Sequence, residues 1–173
     1  MSQSLPLAEA YHQLGCVYIE TGEYSKAEQL FRDCVEIRVR LLGEDHLDIA
    51  DSVLMLGRVC AKINSPHEAM MYFEQAQLIR KTKLGEKHLE YAEVMREIGA
   101  VHEMNGDFKE SLKNLNSYLQ IRREAVGDDV IVGDVLHNIG SIEFTMQKHN
   151  AALKSLATAL ALFKVLLGDD NLR

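Results

Sequence analysis

A segment of 21 residues occurs twice in nearly the same form, and this repetition constrains the fold more than any other feature. The segment IRVRLLGEDHLDIADSVLMLG runs from Ile37 to Gly57, and IRKTKLGEKHLEYAEVMREIG runs from Ile79 to Gly99, 42 residues later. Repetition at a period of about 20 to 50 residues is typical of solenoids, propellers and other repeat architectures. The sequence therefore predicts an array of similar units.

The same register extends over almost the whole chain. Leu14-Gly15 aligns with three later dipeptides at successive offsets of 42, 42 and 41 residues, namely Leu56-Gly57, Ile98-Gly99 and Ile139-Gly140. Four units follow from this alignment, at about residues 8–49, 50–91, 92–132 and 133–173. We treat them as one array and as a single domain.

Each unit has the pattern of a helical hairpin. Apolar and small residues recur at the i, i+3, i+4, i+7 spacing of one helix face in two segments, which contain Tyr11, Leu14, Gly15 and Tyr18, and then Ala27, Phe31, Cys34 and Val35. Glycines that favour a left-handed helix end separate the segments. We expect an all-α protein of helix-turn-helix units.

A glycine lies in the middle of the first helix of every unit, where glycine costs roughly 1 kcal/mol relative to alanine. These glycines are Gly15, Gly57, Gly99 and Gly140. Such a cost at one repeated position indicates a tight crossing between the two helices of each hairpin. We expect the small residue at the Ala27 position to be the counterpart of the glycine.

The repeated segment itself is the joint between units. Basic residues, among them Arg38, Arg80 and Arg122, end the second helix, where cations complement the helix dipole. A glycine stops the helix, and acidic residues begin the next one. Ser65 before Pro66 is expected to cap a second helix. His46 and His88 are interpreted as capping or turn residues and not as metal ligands.

Composition and motifs exclude several function classes. A formal net charge of -7 disfavours binding to nucleic acid and to anionic membranes, and no apolar stretch reaches the ~20 residues that span a bilayer. Three cysteines without zinc or redox spacing indicate reduced thiols in a cytoplasmic protein. We expect no enzyme, no cofactor and no metal. The one nucleophile-like pair is Cys16 with His12, and it lacks the third orienting group that nucleophilic catalysis needs. Cys16 is instead a candidate reactive surface thiol.

The first unit resembles the tetratricopeptide repeat. It contains Tyr11-x2-Leu14-Gly15-x2-Tyr18 and Ala27-x3-Phe31, which follow the W-x2-L-G-x2-Y and A-x3-F pattern of that repeat. The 42-residue period and the LG-[ED]-x-H connection resemble the kinesin light chain variety, although Leu47 and Leu89 occupy a position where that variety usually has Pro. The resemblance implies an α-solenoid of four units, a right-handed superhelix and a protein-binding scaffold or adaptor with a concave groove.

The resemblance also implies which residues line the groove that would hold a peptide or helix of a partner. They are His12, Cys16, Leu54, Arg58, Lys62, Arg96, Ala100, His137 and Ser141. Arg58, Lys62 and Arg96 form a basic centre that would pair with an acidic partner, or that is neutralised inside the chain by Glu9, Asp51 or Glu93. The row Glu9, Asp51, Glu93 and Asp134 either complements helix dipoles or selects basic groups of a ligand.

The last helix, about residues 150–167, carries an apolar face that no following helix covers. Its members are Leu153, Leu156, Leu160, Phe163, Leu166 and Leu167, and the terminal GDDNLR is in phase with the earlier GEDHLD. Two interpretations are open: the chain is a fragment of a longer array, or this face mediates self-association into a homo-oligomer. A regulatory segment of a larger motor or signalling protein is a further alternative.

Overall fold

The computed structural model describes residues 4–168, and within this range every regular element is an α-helix. The helices are α1 (Leu5–Glu20), α2 (Tyr24–Leu42), α3 (Leu47–Lys62), α4 (Pro66–Leu84), α5 (Leu89–Met104), α6 (Phe108–Ala125), α7 (Val130–Thr145) and α8 (His149–Leu167). The all-α prediction is confirmed. Of the terminal segment GDDNLR, all but Gly168 lies outside the described residues.

The helices pack as consecutive hairpins. Helix α1 packs on α2, α3 on α4, α5 on α6, and α7 on α8. The chain divides into two compact units, Met1–Glu86 and Lys87–Arg173, each with two hairpins. Within the first unit α2 also packs on α3, and within the second α6 packs on α7. A single continuous array and its right-handed superhelix stay predictions.

The glycine in each first helix allows the close crossing that the sequence predicts. A Cβ atom placed on Gly57 would lie 2.5 Å from Phe73 Cε1, and one on Gly15 would lie 2.8 Å from Phe31 Cζ. Gly140 and Gly99 lie in the same way against Leu156 and Leu115. The counterpart of the glycine is therefore the large residue at the Phe31 position. The Ala27 position, which the sequence predicted as the counterpart, also takes part: in the third repeat, a Cβ atom on Gly99 would lie 3.4 Å from the carbonyl oxygen of Ser111.

Side-chain caps begin the first helices. His46 Nδ1 accepts a hydrogen bond from the backbone N–H of Asp48 at 3.2 Å, and His88 Nδ1 accepts one from Glu90 at 3.2 Å. In the third joint, Asp129 accepts a hydrogen bond from the N–H of Val132 at 2.9 Å. The capping role of the two histidines is confirmed.

The ends of the second helices also follow the sequence. Gly43 and Gly85 end α2 and α4 with φ angles of 85° and 87°, in the left-handed region that favours glycine. Ser65 holds the N-cap position of α4 as predicted, but its side chain makes no capping hydrogen bond. Pro66 at the first helical position supplies the fixed φ that suits a helix start.

Helix α8 is more apolar than the sequence interpretation allowed. It has 19 residues with a mean hydropathy of 1.4, which by length and composition alone would let it cross a membrane. A core helix of a soluble protein can pass the same test. One side of α8 packs on α7, with Leu156 against Gly140 and Phe163 against Gly133. The opposite side is exposed to solvent over most of its length.

Candidate functional site

Each of the first three repeats pairs a buried arginine of its second helix with a carboxylate near the start of its first helix. The pairs are Arg38–Glu9 at 2.7 Å, Arg80–Asp51 at 2.6 Å and Arg122–Glu93 at 3.3 Å, and each spans 29 residues. These carboxylates are therefore engaged inside the chain. For Glu9, Asp51 and Glu93, the two roles considered from sequence, dipole complementarity and selection of a ligand, stay predictions beside this pairing.

Two of the arginines also bind the helix that follows. Arg38 Nη1 donates to the carbonyl oxygen of Asp48 at 2.7 Å and to Ser52 Oγ at 2.6 Å. Arg122 Nη2 donates to Asp129 Oδ2 at 2.5 Å, and this hydrogen bond holds the pKa of Asp129 below its usual value. Arg38 and Arg122, which the sequence placed as cations complementing a helix dipole, thus connect three helices each.

The fourth repeat breaks this pattern. Phe163 occupies the position of the buried arginine, and its ring packs against Gly133. Asp134, which corresponds to Glu93, is exposed and makes no ion pair with any residue of the described range 4–168. Its carboxylate is therefore available to a ligand.

Asp134 lies at the edge of a cleft in the second unit with a volume of about 180 Å³. Helices α5 and α7 form its walls, and Leu115 of α6 lies between them. The lining residues are Arg96, Glu97, Ala100, Glu103, Leu115, Ile131, Asp134, Val135 and Asn138. This cleft is our candidate site, since it joins the first helices of two successive repeats.

Arg96 in this cleft is already paired inside the chain. Its Nη2 donates to Glu97 Oε1 at 3.1 Å, and its Nε lies 3.4 Å from Glu93 Oε2. The guanidinium also lies 5.9 Å from the centroid of the Tyr118 ring, within the range of a cation–π contact. Of the two alternatives left open for the basic centre, Arg96 adopts internal neutralisation. Partial burial raises the pKa of Glu103 on the same wall.

Two predicted groove residues of the first unit face its interior. The His12 ring makes an edge-to-face contact with Phe31, with centroids 5.4 Å apart. Burial, reinforced by the charge of Arg38, lowers the pKa of His12. Leu54 is only 6% exposed. Its assignment to an open groove surface was wrong, because the side chain belongs to the packed core.

Cys16 does not have the environment of a reactive thiol. It is half-buried, and burial raises its pKa, although the nearby charge of Arg58 partly opposes this shift. Reactive cysteines need a lowered pKa, so the raised pKa of Cys16 does not favour its interpretation as a reactive surface thiol, which stays a prediction. Arg58 Nη1 approaches Met55 Sδ at 3.6 Å. Lys62 is exposed in the last turn of α3.

The remaining predicted residues lie on the second unit. His137 and Ser141 are exposed on α7, and Ser141 Oγ donates to the carbonyl oxygen of His137 at 3.0 Å. Of all the predicted groove residues, only Arg96 and Ala100 line the cleft together. The grouping of Arg96 with Arg58 and Lys62 in one basic centre stays a prediction.

Sequence reasoning missed several residues that line the cleft. Glu97 and Asn138 follow the predicted Arg96 and His137 by one position. The neighbouring row of residues on the first helices therefore also indicated the cleft. Glu103 had no such signal. Among the residues that the structure describes, no group of three or more His, Cys, Asp or Glu side chains is placed to hold a metal ion.

Comparison with known families identifies the repeats. Tetratricopeptide repeat families match residues 6–82, 66–124 and 132–172, which is most of the chain. The chain belongs to the tetratricopeptide repeat family. This membership confirms the resemblance seen in the Leu-Gly and Ala-x3-Phe motifs. No curated protein sequence matched the chain.

Several solved structures share the fold. BtubC (BKLC) from P. vanneervenii superposes with a TM-score of 0.86 at 17% identity, over 95% of this chain and 66% of that one. A Podosopora anserina kinesin light chain protein with nearly identical TPR-like repeats gives 0.79 at 19% identity, over 94% and 77%. The apo form of RapI gives 0.83 at 15% identity, over 95% and 58%. The all-α repeat solenoid, with units like those of kinesin light chain repeats, is confirmed.

Proposed function

We propose that the chain is a protein-interaction scaffold that holds a short peptide or a helix of a partner protein and has no catalytic activity of its own. The α5–α7 cleft carries this proposal, because it joins the first helices of successive repeats and ends in a carboxylate without an internal partner. Tetratricopeptide repeats generally bind proteins, and repeat stacking creates extended surfaces suited to that role.

The size of the cleft favours a peptide side chain over a free small molecule. Its volume of about 180 Å³ is below the roughly 300 to 1,000 Å³ of typical small-molecule pockets. One long side chain of a partner would fill it, while the rest of the peptide would lie across α5 and α7. We therefore expect the partner to be anchored by a single inserted residue.

The charges of the cleft favour a lysine or arginine as that residue. Arg96 is paired with Glu93 and Glu97, so the carboxylates of Asp134 and Glu103 contribute the charge that is not balanced. A charge-assisted hydrogen bond to Asp134 is stronger than a neutral one. Acidic residues of a partner would instead lie near Arg58 and Lys62 on the first unit.

We also propose a cytoplasmic location. All three cysteines, Cys16, Cys34 and Cys60, are free thiols, and free thiols persist where the environment is reducing. Localisation of a fluorescently tagged chain would test this part of the proposal, and retention in the secretory pathway would contradict it.

Peptide selection tests the scaffold proposal. A random peptide library is panned on the wild-type chain, and selected peptides are measured by fluorescence anisotropy on the wild type, on Asp134→Lys and on Glu124→Lys. Glu124 is an exposed acid of α6, and its reversal changes net charge equally. We expect basic peptides that lose at least tenfold in affinity with Asp134→Lys only. No enriched peptide, or equal loss with both variants, would contradict the proposed site.

A further inference from the structure

One face of α1 exposes residues whose counterparts in later repeats are buried. Leu14 is 45% exposed and Val17 is 55% exposed. Their counterparts in α3 and α7 are 3% exposed or less, and these are Leu56, Val59, Ile139 and Ile142. The open face of α1 is therefore the face that later repeats use for packing.

The structure also shows what covers this face inside the chain. In α3, Ser52 lies on it and contacts both Cys34 Sγ, at 3.3 Å, and Arg38 Nη1, at 2.6 Å, from α2. In the second unit the same face of α7 packs on α6. The second helix of the preceding repeat is thus the natural occupant of this face.

Helix α8 presents the complementary surface, and no described residue covers it. Leu153 is 67% exposed and Leu160 is 50% exposed. Their counterparts in α6, Leu112 and Leu119, pack into the hydrophobic core that α6 shares with α7. The exposed faces of α1 and α8 are therefore the two halves of the joint that α2–α3 and α6–α7 each form inside the chain.

The charges of the two helices are complementary. Helix α1 contains no lysine or arginine, and besides Glu9, which is paired with Arg38, it carries Glu20. Helix α8 contains Lys154 and Lys164 and no aspartate or glutamate. Opposite charges steer association and disfavour pairing of like surfaces. Contact between two α8 helices would bring four lysines together, so α8 favours α1 over a second α8.

We propose that α8 of one copy of this chain packs on α1 of a second copy, in the manner in which α6 packs on α7. Exposed apolar faces of this kind mark interaction surfaces. Each pair of copies would keep one α1 face and one α8 face open, since the two surfaces differ. Head-to-tail contacts of this type do not close on themselves unless a rotation brings the ends together, so the oligomers grow with concentration.

Complementation between two blocked variants tests the proposal. Leu160→Glu blocks the α8 face, and Leu14→Glu blocks the α1 face; both side chains are exposed, so circular dichroism should show unchanged helix content. Sedimentation velocity from about 1 to 100 μM should show a rising oligomer size for the wild type and monomers for each variant alone. An equimolar mixture of the two should form a 1:1 dimer, because one open face of each kind remains. Leu78→Glu, on an exposed position of α4, is the matched control and should associate as the wild type does.

The outcomes separate the occupants of α8. A wild type that stays monomeric at every concentration would overturn the proposal. If two α8 helices pair with each other, the Leu14→Glu variant would still dimerise by itself, and adding Leu160→Glu would form no further dimer. This outcome would also overturn the proposal. Flotation with phosphatidylcholine vesicles adds a last comparison: capture of the wild type by vesicles, with no self-association in buffer, would show that a lipid surface is the occupant instead. A 1:1 dimer from the mixture alone would support the proposal.

Discussion

Arg80 near the end of α4 donates a hydrogen bond of 2.6 Å to Asp51 in α3, and the guanidinium is buried while the carboxylate is half exposed. The asymmetry matters for energetics. A carboxylate that loses its partner can be solvated, whereas a buried guanidinium that loses a partner cannot recover that bond from water. Removal of the acid should therefore cost more than its exposure suggests.

We expect Asp51→Ala to lower the free energy of unfolding by about 1 to 3 kcal/mol, the usual cost of removing a hydrogen-bond partner from a buried group. Asp45→Ala removes the surface pair with Lys83 and should lower the free energy of unfolding much less, because water screens exposed ion pairs. Urea unfolding followed by circular dichroism measures both. Equal effects of the two substitutions would show that burial of Arg80 is energetically unimportant.

The glycine crossings predict a graded response to alanine. A Cβ atom on Gly57 would lie 2.5 Å from the Phe73 ring, but one on Gly99 would lie 3.2 Å from Leu115 Cγ. Gly57→Ala should destabilise the fold by about 1 to 3 kcal/mol through overpacking. Gly99→Ala should be close to neutral, because a small shift of Leu115 is offset by a gain of up to about 1 kcal/mol in helix propensity. Thermal unfolding measures the order, and a larger loss with Gly99→Ala would contradict the packing argument.

The Arg122–Asp129 pair predicts a specific dependence on pH. The hydrogen bond lowers the pKa of Asp129 in the folded state below the 3.8 of an unperturbed aspartate. The pair therefore stabilises the fold fully above that unperturbed value, and this contribution is lost as pH falls through the lowered pKa. Asp129→Asn should be less stable than the wild type at pH 7, and the difference should shrink toward pH 2. Asp128→Asn, at the surface beside Arg123, serves as the control with little difference at either pH.

The three thiols should differ in their rates of modification. Burial raises the pKa of Cys60 to about 11 and raises that of Cys34 as well. Cys16 also has a raised pKa but is only half-buried. We expect a disulfide reagent at pH 7 to modify Cys16 first and the other two only as the fold opens. Mass spectrometry of the products identifies the site, with Cys16→Ser as the reference, and early labelling of Cys60 would contradict the burial argument.

Local chemistry explains what could be predicted from the sequence. The close crossing at each mid-helix glycine was indicated by the recurrence of that glycine in every unit. Helix ends at Gly43 and Gly85 and caps at His46 and His88 depend on backbone geometry within a few residues. That information is present in any short segment. Because the units repeat, an assignment that is correct at one position also holds at the corresponding position of the other units.

The buried arginines could not be assigned in that way. A basic residue near the C-terminus of a helix interacts favourably with the helix dipole whether its side chain points to solvent or into the protein. Which of the two orientations it adopts depends on the neighbouring helix. The sequence nevertheless contained a signal. An arginine and a carboxylate 29 residues before it, Arg38 and Glu9 in the first repeat, have counterparts at the same spacing in the second and third repeats. Phe163 replaces the arginine in the fourth, where Asp134 stays exposed. A pairwise comparison across helices would have found both.

The groove assignment failed at Leu54 for a related reason. The tetratricopeptide resemblance places a row of residues on the groove surface. A rotation of the helix about its axis by one residue position is enough to move a side chain from that surface into the core. Leu54 is buried, whereas Arg96 in the same row lines the cleft. The adjacent row with Glu97 and Asn138 shares the cleft, so rows alone do not define its boundary.

The arginine that connects three helices has a consequence for a chain that emerges residue by residue from a ribosome. Glu9 is made long before Arg38, but Asp48 and Ser52 appear only after it. A nascent first hairpin would therefore hold its guanidinium with one partner in place and two still inside the exit tunnel. Completion of the first hairpin would depend on the synthesis of α3, which would order the assembly of the first two hairpins from the N-terminus.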